Sequence, residues 1–383
     1  MNKDKIKLSI EYIMNLRLTS IAFILIISST SAFAITKKEI KKNLKKVADW
    51  QITTFEESVK KETRWKDAYA KDEWTQGALY VGMVEWARLS HDEQYWNFLK
   101  GVGKELNWKP AKKIFFGDDI CVSRMYIELY KKYKKQEMIA PTIERLEYIM
   151  KNLPQVPLQM NIKGNQDRWS WCDAIFMAPP VYYSLSKVTG NDSYRKFAEK
   201  ELDVTYDTLY IKVDSLFCRD TNFKGKKEKN GKQVYWARGN GWVVGGLANI
   251  IENTPSNDPY RAKYIQTFKE MTTKIATLQG NDGFWTASLL DPNAYPVPET
   301  SSTGFMTYAI AWGINHGYLD KKKYTPIALK GWKALVTAIE SNGKLGWAQA
   351  IGASPEATKR ENSEVYGVGS FLLAGTEVYR LVQ

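Results

Sequence analysis

Asp173 stands in the stretch Trp169-Ser170-Trp171-Cys172-Asp173-Ala174-Ile175-Phe176-Met177-Ala178-Pro179-Pro180, one carboxylate boxed between tryptophans and an apolar run. A carboxyl in apolar company is hard to ionise, so it holds a proton toward neutral pH and can act as an acid. Tryptophan faces are also the usual floor for the C–H bonds of a sugar ring. Asp is equally a favoured helix N-cap, and a helix is expected to begin at this point. Two further polar groups stand in comparable places: Asp118-Asp119-Ile120-Cys121-Val122, and Arg238 in Trp236-Ala237-Arg238-Gly239-Asn240-Gly241-Trp242. Two carboxylates and an arginine in one pocket suit acid–base work on an anionic sugar, with Arg238 pairing the substrate carboxylate. As purely structural residues, Asp118 and Asp119 would be caps, Arg238 an ion-pair partner of one of them, and Trp236 and Trp242 core.

Bringing these residues together requires a particular arrangement of elements, and the chain repeats one pattern six times. A loop rich in aromatic and polar residues runs into a helix of small and apolar ones. The starts are Trp74-Thr75-Gln76-Gly77, Asp118-Asp119, Trp171-Cys172-Asp173-Ala174, Trp236 to Trp242, Ser301-Ser302-Thr303-Gly304 and Glu364-Val365-Tyr366-Gly367. Between them lie six amphipathic, Lys- and Glu-rich helices near Lys38–Lys60, Asp92–Leu106, Lys135–Lys151, Asp192–Tyr206, Pro259–Leu278 and Lys322–Glu340. A helix that is apolar or small all round is buried, and one with a charged face lies outside. Strict alternation of the two predicts an all-α (α/α)6 barrel, an inner ring sheathed by an outer one. The polar starts would then converge at one end, where helix N-termini favour a bound carboxylate. An open solenoid would show a fixed period and capping repeats; here the spacing drifts from the forties to the sixties. The stretch Phe217 to Tyr235 reads as a flexible or hairpin-like excursion at the mouth.

Composition narrows the function. The chain has 383 residues with ordinary hydrophobic and charged fractions, but 14 Trp and 22 Tyr, a surplus suited to a carbohydrate cleft. Its formal net charge of +13 fits an anionic partner. The basic residues are scattered and no nucleic-acid-binding motif appears, so an anionic saccharide fits better than nucleic acid. Cys121, Cys172 and Cys218 form no CxxC pair and read as small buried residues, and His91 and His316 have no partner at metal-ligand spacing. A transition-metal enzyme and a His-based nucleophile relay are therefore disfavoured, and no cofactor is implied.

The N-terminus reads as a cleavable signal peptide spanning residues 1–34. Lys3, Lys5, Lys7 and Arg17 precede the apolar run Ile21 to Ile27, and Ala32-Phe33-Ala34 supplies a small-x-small cleavage site. A start at Met14 would make the n-region more usual. The run is too short to span a bilayer, and no other stretch is a candidate. The expectation is an exported, periplasmic protein whose mature chain, residues 35–383, is a single catalytic domain without a membrane anchor.

The motifs around Asp173 and Arg238 together resemble the unsaturated uronyl hydrolases, specifically the unsaturated rhamnogalacturonyl hydrolases of glycoside hydrolase family 105, related to family 88. The resemblance implies an (α/α)6 barrel, no metal, and action on the 4,5-unsaturated uronic acid that lyases leave at the non-reducing end of oligosaccharides such as those from pectin. It implies that Asp173 is the general acid/base, protonating C4 and then activating water for attack at C5. Asp118 or Asp119 matches the family's second aspartate, with Asp118 favoured. Arg238 and Trp242 would sit at the unsaturated ring, and Trp236, Met177 and Lys163 would line the same subsite, with Trp171 and Trp74 as further aromatic walls. One departure stands out. Where many relatives read Leu-Phe-Tyr-His, this chain has Leu216-Phe217-Cys218-Arg219, so Arg219 is expected to alter the choice of leaving sugar. The competing readings are an ordinary inverting glycosidase or a lyase using paired carboxylates, and a carbohydrate-binding protein without catalysis.

Overall fold

The computed structural model describes residues 35–382, so the signal-like segment lies outside the described residues. In chain order the helices are α1 (Lys37–Thr53), α2 (Phe55–Val59), α3 (Trp74–Ser90), α4 (Glu93–Glu105), α5 (Ser123–Tyr133), α6 (Ala140–Asn152) and α7 (Ala174–Met177). They continue with α8 (Pro179–Thr189), α9 (Asp192–Leu209), α10 (Ala237–Asn253), α11 (Pro259–Ala276), α12 (Thr300–Asn315), α13 (Lys321–Thr337) and α14 (Val365–Leu381). A two-stranded hairpin, β1 (Tyr210–Ile211) with β2 (Leu216–Phe217), follows α9. No helix among the described residues is long and apolar enough to cross a membrane.

Helices α3, α5, α8, α10, α12 and α14 pack each on the next, and α14 packs back on α3, closing the inner ring. The remaining long helices α1, α4, α6, α9, α11 and α13 sheathe it, which is the (α/α)6 barrel. Burial explains the assignment. Every residue of α12 from Thr300 to Ile314 is buried, whereas α4 buries only Tyr95, Trp96, Leu99, Val102 and Gly103. Close crossings inside the ring rest on glycine. A Cβ on Gly82 of α3 would stand 2.3 Å from the Gly369 carbonyl of α14, and one on Gly246 of α10 would stand 2.4 Å from the Ile175 carbonyl of α7.

The helix starts differ between the rings. Outer helices are capped by short polar side chains: Asp92, Asn191, Asp258 and Asp320 accept from Gln94, Ser193, Tyr260 and Lys323 backbone N–H groups. Inner helices α3, α10 and α14 have no side-chain cap; in α10 the first N–H, that of Ala237, donates instead to the Ala287 carbonyl at 2.9 Å. In α12 that place is taken by buried Glu299, whose carboxylate accepts from Ser301 and Ser302 at 3.1 and 2.7 Å.

Three boundaries depart from the periodicity. The first outer helix breaks at Thr54, where Thr53 and Thr54 turn their hydroxyls onto the Asp49 and Trp50 carbonyls. The second inner start forms a short 3-10 turn over Gly117–Ile120, and α5 begins only at Ser123. The third inner helix is split, because Pro179 lacks an N–H and starts α8 afresh. That split leaves Asp173 at the head of the four-residue α7. The excursion from Phe217 to Tyr235 is hairpin-like: the Glu228 N–H donates to the Lys232 carbonyl at 2.8 Å, and Asn230 Nδ2 pins the tip to the Leu290 carbonyl at 2.8 Å.

Candidate active site

Asp173 precedes α7, yet it does not cap it. Its backbone is already helical (φ −61°, ψ −29°) and its side chain accepts no bond from the helix. The carboxylate instead turns into the ring. Its Oδ2 lies 3.6 Å from Arg219 Nε and its Oδ1 lies 3.7 Å from the Cys172 thiol. The first turn of α10 closes the other side, since a Cβ on Gly239 would stand 3.4 Å from Asp173 Oδ1. Burial pushes the Asp173 carboxyl above the ordinary carboxylate range, while Arg219 and then Arg238 pull it back.

The adjacent pair Asp118-Asp119 divides. Asp118 accepts from Trp171 Nε1 at 3.3 Å, and Trp171 itself stacks on Phe116 with ring centres 5.0 Å apart. Burial and the negative charge of Asp173 hold the Asp118 carboxyl well above its usual value. Two carboxyls in mutual contact through that field cannot both ionise readily, and Arg219 stands closer to Asp173, so Asp118 keeps the proton longer. Asp119 faces away. Its Oδ2 accepts from the Lys113 backbone N–H at 2.6 Å, and its Oδ1 is buried without a partner. Asp119 is thus a loop anchor, and its place in the site falls to Asp118: neighbouring residues on a 3-10 turn project in different directions.

Arg219 and Arg238 are the cations nearest Asp173. Arg219 Nη1 donates to buried Asp220 at 2.7 Å, and the Arg219 carbonyl accepts from Cys172 N at 2.8 Å, which ties its segment to that of Asp173. It is directed at Asp173. Arg238 pairs with no aspartate. Its Nη1 and Nη2 donate to the carbonyls of Gln349 and Ala350 at 2.5 and 2.9 Å, and its guanidinium lies between the rings of Trp236 (4.5 Å) and Tyr366 (4.9 Å). Among the described residues this buried charge forms no ion pair, and its Nε is unpartnered.

Aromatic residues build the rest. Trp74 stacks on Tyr366 at 5.4 Å and meets Trp242 edge-on at 6.1 Å. Trp242 packs on Phe305 at 4.3 Å and Phe176 at 4.8 Å, forming a floor below the Asp173 turn. Met177 is buried one helical turn beyond Asp173. Lys163 is exposed in the loop before Asn165–Asp167, and no hydrogen bond or ion pair ties it to the cluster. Gln349 carries no mark in the sequence. Its Oε1 accepts from Trp236 Nε1 at 2.9 Å and its carbonyl accepts from the Tyr366 hydroxyl at 2.6 Å. Nothing in an irregular segment marks such a residue, whereas Tyr366 lies in the sixth helix start and Asp220 directly follows Arg219.

The cysteines are buried and unpaired, with burial raising Cys121 to about 12 and Cys218 to about 11. His91 and His316 follow the C-terminal ends of α3 and α12, at the mouth away from Asp173.

Known proteins resemble this chain in sequence and fold. The chain is 37% identical over 336 residues to an unsaturated 3S-rhamnoglycuronyl hydrolase of Formosa agariphila, spanning 84% of this chain and 89% of that protein. Among solved structures, a glycosyl hydrolase family 88 protein from Bacteroides vulgatus superposes with a TM-score of 0.80 at 29% identity, covering 91% of this chain and all of that one. A protein described as a polysaccharide lyase superposes with a TM-score of 0.79 at 31% identity, covering 90% of this chain and 97% of the other. The model of Glycosyl Hydrolase Family 88 matches residues 43–382, and the chain belongs to that family of glycoside hydrolases.

Proposed function

We propose that the protein releases a 4,5-unsaturated uronic acid from the non-reducing end of lyase-generated oligosaccharides by hydrating the C4=C5 double bond. The observation that carries this reading is a buried, uncapped Asp173 carboxyl facing a second raised carboxyl and two guanidinium groups. Protonated Asp173 gives its proton to C4; the π pair forms the C4–H bond, and positive charge develops at C5 beside the ring oxygen. Asp173, now an anion held by Arg219, takes a proton from water as the water oxygen bonds to C5. The resulting hemiketal opens at the ring oxygen, and the anomeric carbon releases the neighbouring sugar. One carboxyl serves both steps, unlike displacement at C1 by two carboxylates. Asp118 assists by holding sugar hydroxyls, and the unpaired charge of Arg238 draws the substrate carboxylate to the aromatic box of Trp74, Trp236, Trp242 and Tyr366.

The name of the Formosa agariphila relative supports a rhamnose-linked unsaturated glycuronyl unit as the substrate. The +13 net charge suits such an anion. The structural likeness to a polysaccharide lyase gives the second reading. Ultraviolet absorbance of the conjugated double bond separates them. Incubation with an unsaturated rhamnoglycuronyl disaccharide should lower it as free sugar appears; a rise on intact polysaccharide would make the protein a lyase, and no change on any unsaturated substrate would remove the hydration reading.

Residues 1–34 supply a signal for export to the periplasm in the same proposal, leaving residues 35–383 as a single catalytic domain. N-terminal sequencing of the exported protein should begin at Ile35; retention of residues 1–34 would contradict it.

A further inference from the structure

At the opposite mouth of the barrel, where the inner helices end, lies a cavity of about 440 Å³ that the reaction does not use. Its rim is basic for a general reason. Arg88, Lys131, Lys187 and Arg380 occupy the last turns of α3, α5, α8 and α14, where cations offset the partial negative charge of helix C-termini. Three of these cations are neutralised. Arg88 pairs with Glu85 and Glu128, Arg380 with Glu85 and Glu377, and Lys131 with Glu128 at 2.8 Å.

Arg124 lies deeper and is different. It is 6% exposed and lines the cavity. Its Nη1 donates to the Phe176 carbonyl at 3.0 Å, and its guanidinium sits 4.2 Å from the Phe176 ring centre. Among the described residues no carboxylate forms an ion pair with it. A buried cation without a counter-ion is costly, and burial lowers the Arg124 pKa accordingly. Trp312, 2% exposed, lines the same cavity and leaves its indole Nε1 buried without an acceptor. Buried donors of this kind normally have partners. A guanidinium without an ion pair thus faces a polar space large enough for a monosaccharide, with Trp312, Asn249, Ser184 and Glu252 on its wall.

We propose that this cavity is a second binding site, taking a small hydroxy-carboxylate such as a sugar acid, whose carboxylate pairs with Arg124 and whose remaining oxygens reach the polar wall beside the Trp312 ring. The same guanidinium holds the Phe176 carbonyl, three residues beyond Asp173, so the site abuts the back of the catalytic turn.

The indole N–H resonance of Trp312, assigned by its loss in Trp312→Phe, reports on this cavity separately from the tryptophans around Asp173. Titration of the whole protein with D-glucuronate to about 10 mM, enough to fill a site of millimolar Kd, should shift it progressively. Glucose at equal concentration should not, and Arg124→Met should abolish the glucuronate shift. A Trp312 resonance unmoved by glucuronate would overturn the site, and an equal shift with glucose would overturn the carboxylate. Should Arg124→Met fail to fold, the wild-type titration with its glucose control still decides. Because the resonances of Trp236 and Trp242 report the catalytic mouth, loss of one kind of binding is distinguishable from loss of the other.

Discussion

At the scale of single residues, the site turns on how one carboxyl is kept protonated yet able to ionise. Burial raises Asp173, and Arg219 at 3.6 Å limits the rise. Replacing Arg219 by Gln removes the nearest opposite charge, so the Asp173 pKa rises further. The acid form then survives to higher pH, and the alkaline limb of the kcat/KM profile should move to higher pH. If Arg219 served only to choose the leaving sugar, KM would change and the limb would stay. The neighbours Asp118 and Asp119 give a second contrast. Asp118→Ala should lower kcat/KM about tenfold or more. Asp119→Ala should leave it near wild type while costing about 1–2 kcal/mol of stability, read as a lower Tm, because the Lys113 N–H loses its acceptor. The sequence marks the pair but not the member, since the choice depends on a 3-10 turn that places only one carboxyl toward Trp171. Asp173 was legible because its apolar neighbours are sequence neighbours. The aim of Arg219 was not: its contact with Asp173 crosses 46 residues of chain and depends on the Cys172–Arg219 backbone bond.

At the scale of elements, catalysis rests on short helices set close to long ones. The turn carrying Asp173 is held against α10 by Gly246, whose missing side chain admits the Ile175 carbonyl. Gly246→Ala forces the two apart, at a cost of about 1–3 kcal/mol by the usual measure of overpacking. A lowered Tm should therefore come with a lowered kcat, because the shifted element carries Asp173, the proposed acid; a stable variant with full activity would show that the crossing tolerates separation. Alternation of apolar and charged helices makes the double ring readable in the sequence. The split at Pro179 was also present as a Pro179-Pro180 pair, although the period of the surrounding apolar residues concealed it. Gln349 and Glu299 were unreadable, because they act through irregular chain between inner helices, where no period marks which side chains turn inward.

At the scale of the whole molecule, the buried carboxyls set a pH dependence of stability. Asp173, Asp118, Glu377 and Glu73 all have folded values above their ordinary ones, Glu73 rising from 4.5 to about 7 through burial and the nearby Asp119 charge. For such groups the stabilising contribution is full below the unfolded pKa and is lost as pH rises through the folded one. Glu270 has the opposite sign: its hydrogen bonds from Lys212 and Tyr210 outweigh its burial and lower it to about 2, so its contribution is present above 4.5 and lost as pH falls toward 2. The Tm should be highest in mildly acid solution, about pH 5, and should fall toward pH 8. A Tm that climbs through that interval would mean the carboxyls are not buried as described.

The account depends most on Asp173 as the proton donor and acceptor for an unsaturated uronyl ring, and Asp173→Asn tests it directly. Asn keeps the side chain's size and removes its exchangeable acid, so folding, read by circular dichroism and Tm, should be intact. Turnover of an unsaturated rhamnoglycuronyl disaccharide, followed by loss of double-bond absorbance, should fall about a hundredfold or more. Near-normal turnover by the folded variant would contradict the mechanism and move the acid elsewhere in the cluster, to Asp118 first.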